Sequence, residues 1–270
     1  MNEPTHRELV DFGVTLAHEA GLILREGWGQ THRPEHKGRI DLVTEFDRRS
    51  EALLLERIRG RFPDHAILAE ESGGSIATAG FRWIIDPLDG TTNFAHNYPF
   101  FCVSIGIEHS GEMVGGVIHD PIRDETFTAV RGEGAALNGE PIRVSGISGI
   151  ENALLVSGFH YSIRERPEPT FTLFREFLLR AQGVRRDGSA ALNLCYLACG
   201  RFDGFWEARL SPWDMAAGVL IVREAGGTVT NFSGGEFRLD GLQVLAANPA
   251  LHAAMRDLIN SVPGAATASA

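Results

Sequence analysis

A chain of 270 residues, 43% hydrophobic and 22% charged, is long enough for one large domain or two small ones sharing a core. Its formal net charge of −10, with no basic block to offset it, works against a polyanionic partner, so no direct nucleic-acid binding is expected. No stretch reaches the roughly 18 uninterrupted apolar residues of a membrane span.

Hydrophobic spacing predicts a first helix over 5–28, with Leu9, Val10, Val14, Leu16, Ala17, Leu22, Ile23 and Leu24 recurring at roughly helical intervals. Glu3, Glu8, Asp11 and Glu19 interrupt it, so it does not read as a secretory leader, and a cytoplasmic location is expected. A polar loop over 29–40 holds Lys37, the only lysine among 25 Lys and Arg residues. Thr44–Arg61 reads as a second helix with Thr44 as N-cap and Asp47 three residues on. His65–Glu70 is a short strand, 72–80 a Gly/Ser/Ala loop, and Phe81–Asp86 a strand apolar on both faces. Phe101–Glu108, Glu112–His119 and Thr126–Arg131 predict antiparallel strands, and Asn138-Gly139 a tight turn. A seam near residue 145 divides an N-terminal α+β half from a C-terminal α/β half, the two forming one catalytic unit.

In the C-terminal half, strands are predicted at 153–158, 203–207, 228–231 and 243–247, and helices at 168–182, 188–200, 212–226 and 250–260. The three cysteines, Cys102, Cys195 and Cys199, are too few for a disulfide framework and read as buried small side chains. Strands and helices without strict alternation predict an α+β layered fold.

Chemistry concentrates in the run Trp83-Ile84-Ile85-Asp86-Pro87-Leu88-Asp89-Gly90-Thr91-Thr92-Asn93. A buried strand delivers Asp86, and the turn at Pro87 brings Asp89 back toward it. Two carboxylates that close repel unless a cation lies between them, and hard oxygen ligands favour Mg²⁺ over zinc. Gly90 permits close approach of a ligand, and Thr91 opens a short helix. Three further segments add acids: Glu70-Glu71 after an apolar strand, Asp214 in the first turn of a helix, and Asp41 through Asp47. Alternation sends only one of Glu70 and Glu71 toward a shared site. Three of the four segments have a plainer alternative. Asp-Pro and Asp-Gly are ordinary turn dipeptides, Asp214 suits a helix dipole, and Thr44 with Asp47 makes a capping box.

Taken together, these segments and the run from Trp213-Asp214 to Glu224-Ala225-Gly226-Gly227 resemble the inositol monophosphatase family, within the fructose-1,6-bisphosphatase-like superfamily. Ala69 stands where the family usually has glycine. The resemblance implies a layered α-β-α-β-α sandwich of the sugar-phosphatase type that hydrolyses a small phosphorylated polyol. Inositol-1-phosphate leads, with histidinol phosphate and fructose-1,6-bisphosphate as alternatives. It implies two to three Mg²⁺ per site, held by Glu70, Asp86, the Leu88 carbonyl, Asp89 and Asp214. Gly90 and Thr91 would take the phosphate, and Thr91, oriented by Asp47, would work with Glu70 on the attacking water. Arg185, Gly188, Ser189, Ala190 and Glu207, with Asp214, would meet the polyol. Lys37 matches a loop lysine of the family and equally suits a solvated surface. Lithium sensitivity and a homodimer are also implied.

Two rivals differ in kind. An aspartyl-phosphate phosphatase uses a similar acid run, but its acids stand two apart where Asp86 and Asp89 stand three apart. A regulatory protein contacting the transcription machinery would keep the fold without needing turnover.

Overall fold

In the computed structural model, which describes residues 3–30, 35–36, 42–74 and 80–266, helix α1 (His6–Gly27) is followed by the strand pair β1 (Glu35–His36) and β2 (Leu42–Val43) and by α2 (Glu45–Arg61). Lys37 and Asp41 lie outside the described residues. Strands β3 (Ala66–Ala69), β4 (Gly73–Gly74) and β5 (Phe81–Asp89) lead to the short helix α3 (Thr91–Ala95). Then come β6 (Cys102–His109), β7 (Glu112–Asp120), β8 (Glu125–Val130), β9 (Gly134–Leu137) and β10 (Glu140–Pro141). The chain continues through β11 (Leu154–Ser157), α4 (Thr170–Leu178), β12 (Gly183–Arg185), α5 (Ala190–Ala198) and β13 (Gly204–Ala208). It closes with α6 (Pro212–Glu224), β14 (Thr228–Thr230), β15 (Gln243–Ala247) and α7 (Pro249–Ser261).

The larger sheet has the order β10-β9-β8-β7-β6-β5-β3-β4, antiparallel except where β3 pairs with β5. Tight turns join its hairpins. At the β9–β10 turn Asn138 and Gly139 both have positive φ (50° and 82°), which the Asn-Gly pair tolerates. The second sheet has the order β12-β11-β13-β15-β14.

Adjacent strand residues point to opposite faces, and both faces of each sheet are buried. Val117 packs under α1 while Ile118 faces the other way, into the space between the sheets. Phe205 enters that same space, and its neighbour Trp206 packs against Phe177, beneath α4 and α7. The result is five layers: α1 and α2, the first sheet, α5 and α6, the second sheet, α4 and α7. Lying between two sheets, α6 is buried along Met215–Val222. It approaches the first sheet so closely that a Cβ on Gly116 would stand 2.8 Å from the Ala217 carbonyl oxygen. No helix among the described residues is long and apolar enough to cross a membrane.

The layered α+β class follows the sequence reading, with local corrections. Glu35–His36 within the expected 29–40 loop pairs with Leu42–Val43, and Gly73–Gly74 within the expected 72–80 loop pairs with β3. Two-residue strands have no periodicity to read. The helix expected over 168–182 is confined to Thr170–Leu178, because Pro169 caps its start and the chain then turns into β12, a strand too short to signal itself.

Candidate active site

Strand β5 carries the acids through a bulge. Asp86 pairs with Ser104 and Asp89 with Cys102, so three steps on β5 face two on β6. In a regular strand residues three apart face opposite sides. The extra residue returns Asp89 to the side of Asp86. The Pro87 carbonyl is tied to α2 by the Ser50 hydroxyl at 2.9 Å, and Leu88 N–H donates to Asp86 Oδ1 at 3.0 Å. Gly90 then takes φ 100°, and a Cβ there would approach the Phe100 carbonyl oxygen to 3.0 Å.

The other groups arrive on helix starts. Ser211 caps α6, Pro212 stands at its first turn, and Asp214 Oδ2 accepts the Ser211 N–H at 2.7 Å. Ser189 caps α5. Its hydroxyl and the Ala191 N–H both donate to Asp89 Oδ2 at 2.7 Å. Thr44 caps α2, and its N–H and hydroxyl donate to Asp47 Oδ2 at 2.8 and 2.5 Å. The opposite oxygen, Asp47 Oδ1, lies 3.0 Å from the Thr91 hydroxyl, which is also 3.1 Å from the Leu88 carbonyl. The capping box therefore does two things: it starts a helix and orients Thr91.

Glu70, Asp86, Leu88, Asp89, Gly90, Thr91, Gly188, Ser189, Ala190, Glu207 and Asp214 all line one cavity of about 670 Å³. Glu71 does not line it. Both acids follow β3 in a turn, and the Glu71 N–H is held by Glu51 at 2.9 Å. One residue expected at the substrate stands elsewhere. Arg185 is exposed, directs its guanidinium to the Val184 carbonyl at 3.4 Å and is absent from the cavity wall. It is the next residue, Arg186, that lines the wall, its guanidinium 5.8 Å from the Phe159 ring centroid. One residue past the end of β12 the side chain points the other way, and the strand was not foreseen. At the start of α5 the Ala191 N–H is taken by Asp89, while Gly188, Ser189 and Ala190 line the cavity. Sequence reading also missed the rim formed by Phe159, Tyr161, Ile163 and Arg209, on an irregular segment and a strand end with no periodic signal.

Electrostatics mark the site. Burial, then Glu70, Asp89 and Asp214, push the Asp86 carboxyl well above its usual range. Burial and Asp89 do the same to Asp214, and burial raises Asp89 to about 6. The charges acting on Asp86 are all acidic. Among the described residues no three acid, His or Cys side chains are drawn together as a closed ligand cage. The donor chemistry is nevertheless that of a hard divalent cation: oxygen only, buried and like-charged.

Burial also raises the Glu207 carboxyl to about 8, with Arg186 opposing and Asp89 reinforcing. Glu207 thus carries a proton at neutral pH. Its contribution to stability is intact below the ordinary carboxyl range and is lost as the pH rises through about 8. In metal-free protein, Glu207→Gln is expected to raise the unfolding midpoint at about pH 9 and to change it little at about pH 4. A thermal-unfolding series across pH checks this; a variant less stable than wild type at the alkaline end contradicts it.

The layered αβαβα sandwich gathers buried carboxylates and helix starts around one polar cleft, and likeness to known proteins makes the chain a phosphoric monoester hydrolase. The chain belongs to the inositol monophosphatase family, whose sequence model matches residues 5–263. The inositol-1-monophosphatase of Synechocystis sp. is 46% identical over 247 residues, 90% of this chain and 86% of that protein. The Pseudomonas aeruginosa protein named Nus factor SuhB is 46% identical over 213 residues, 77% of this chain and 79% of its own length. The solved inositol monophosphatase of Anabaena (Nostoc) sp. superposes with a TM-score of 0.87 at 43% identity, covering 95% of this chain and 97% of its own.

Proposed function

We propose that the chain hydrolyses inositol-1-phosphate to myo-inositol and phosphate with two to three Mg²⁺ ions held by Glu70, Asp86, the Leu88 carbonyl, Asp89 and Asp214. The observation that carries the reading is the meeting of Asp86, Asp89 and Asp214 with the Asp47–Thr91 pair in one cleft. Bound divalent cations supply charge neutralisation and Lewis-acid polarisation of phosphoryl oxygens. Gly90 and Thr91 receive the phosphate at the start of α3. With its proton directed to Asp47 Oδ1, Thr91 Oγ1 turns its lone pairs to an attacking water and accepts a hydrogen bond from it. Glu70 takes the water's other proton as the oxygen attacks in line with the P–O bond that breaks; the leaving alkoxide takes a proton from solvent water, and Glu70 returns its proton to solvent. Glu207, Gly188, Ser189 and Ala190 hold the polyol.

Asp47→Asn leaves one carbonyl oxygen where Thr44 and Thr91 now use two carboxylate oxygens, so the helix cap and Thr91 compete for it, and kcat is expected to fall about 10–100-fold with KM little changed. Steady-state kinetics check it, and a change confined to KM contradicts the positioning role.

A metal-dependent phosphate-release screen over inositol, histidinol, sugar and nucleotide phosphates tests the whole reading. Release that is independent of divalent ions, or absent for every ester, rejects it. The family likeness also supports lithium inhibition and a homodimer, open to inhibition assays and size exclusion, and the cytoplasmic location read from the acid-interrupted N-terminal segment is open to fractionation. A second reading, contact with the transcription machinery, is supported by the name of the Pseudomonas relative. Affinity capture of RNA polymerase components by catalytically silent protein tests it.

A further inference from the structure

Asn193 lies on α5 four residues after the N-cap Ser189, so it shares the face that meets Asp89. It lines the same cavity as Asp89, Asp214 and Glu207 and is 1% exposed. Its neighbours Leu192, Leu194, Cys195 and Leu197 are apolar and fully buried. Among the described residues, Asn193 Oδ1 accepts no hydrogen bond. A buried carbonyl without a partner destabilises the fold, and an apolar residue at such a position would be neutral or favourable. Two acid oxygens of this wall are already committed, Asp89 Oδ2 to Ser189 and Ala191 and Asp214 Oδ2 to Ser211.

We propose that Asn193 is a further substrate-binding residue whose carboxamide takes a polyol hydroxyl at the deep wall of the cleft; this rests on the phosphatase reading above. A hydroxyl both donates and accepts, and the two ends of a carboxamide exchange by rotation, so the pair is matched whichever end faces inward. A buried water offers the same chemistry without selecting among esters, and the experiment separates the two.

Asn193→Leu keeps similar bulk and deletes the polar atoms. Its unfolding midpoint is expected to be no lower than that of the wild type. Its KM for inositol-1-phosphate is expected to rise about tenfold more than its KM for p-nitrophenyl phosphate, whose leaving group has no further hydroxyl, as loss of one such hydrogen bond implies. Asn193→Ala is expected to show the same split and serves if leucine does not pack. Equal changes for the two esters in both variants, or no change, overturn the assignment and leave the phosphatase reading standing. Failure of the wild type to release phosphate from any ester overturns both.

Discussion

Asp89→Asn is expected to lower phosphate release by about a hundredfold or more, since several kcal/mol of charge stabilisation depend on the cation ligands and each 1.36 kcal/mol is a factor of ten. The change is isosteric. An asparagine carbonyl can still accept from Ser189 and Ala191, the two donors now on Asp89 Oδ2, so the bulge and the start of α5 keep their ties. What is lost is the negative charge, and the amide presents hydrogens where a cation needs an oxygen. The fold gains by the same change. Burial makes the ionised Asp89 costly, and its charge also disfavours ionisation of Asp86 and Asp214. Metal-free Asp89→Asn should therefore unfold no earlier than wild type at neutral pH. Wild-type turnover, or a markedly lower unfolding midpoint, would contradict the role given to Asp89.

Divalent ions should have the converse effect on the wild type. Adding Mg²⁺ at about a hundred times its Kd is expected to stabilise the protein by about 2.7 kcal/mol, and so to raise the unfolding midpoint by on the order of 5 °C. The physical source is the set of like charges around Asp86, which a cation between them relieves. Chelation should reverse the shift, and Asp89→Asn should shrink it. Scanning calorimetry with Mg²⁺, with Ca²⁺ and with chelator measures all three. An unfolding midpoint indifferent to divalent ions would remove the basis for the cation assignment.

Much of this site was legible before any coordinates. The apolar run into Asp86-Pro87-Leu88-Asp89 announces a buried strand ending in acids, and Pro87 marks the irregularity that the bulge turns out to be. Thr44, Ser189 and Pro212 announce helix starts, and those starts carry Asp47, the donors to Asp89, and Asp214. The failures have one cause: side-chain direction was inferred where no periodic element fixed it. Arg185 and Arg186 differ by a single step around the end of a three-residue strand, so naming the wrong one follows from missing the strand. The rim from Phe159 to Arg164 is an extended stretch and a 3₁₀ turn, set by contacts distant in sequence such as Arg209 to Ser162 at 2.6 Å. Asn193 stands in the otherwise apolar run of α5. Only its depth and its unpartnered oxygen separate it from its neighbours.

The middle layer decides how the molecule comes apart. Helix α6 comes late in the chain yet lies on β5, β6, β7 and β8, while α5 beside it lies on β11, β13 and β15. Melting of either half would strip the cover from the other, baring Ile118 and Phe127 on one side or Phe205 and Val244 on the other. Denaturation should therefore be a single cooperative event, and polypeptides severed near residue 145 should be sticky alone and regain solubility only on recombining.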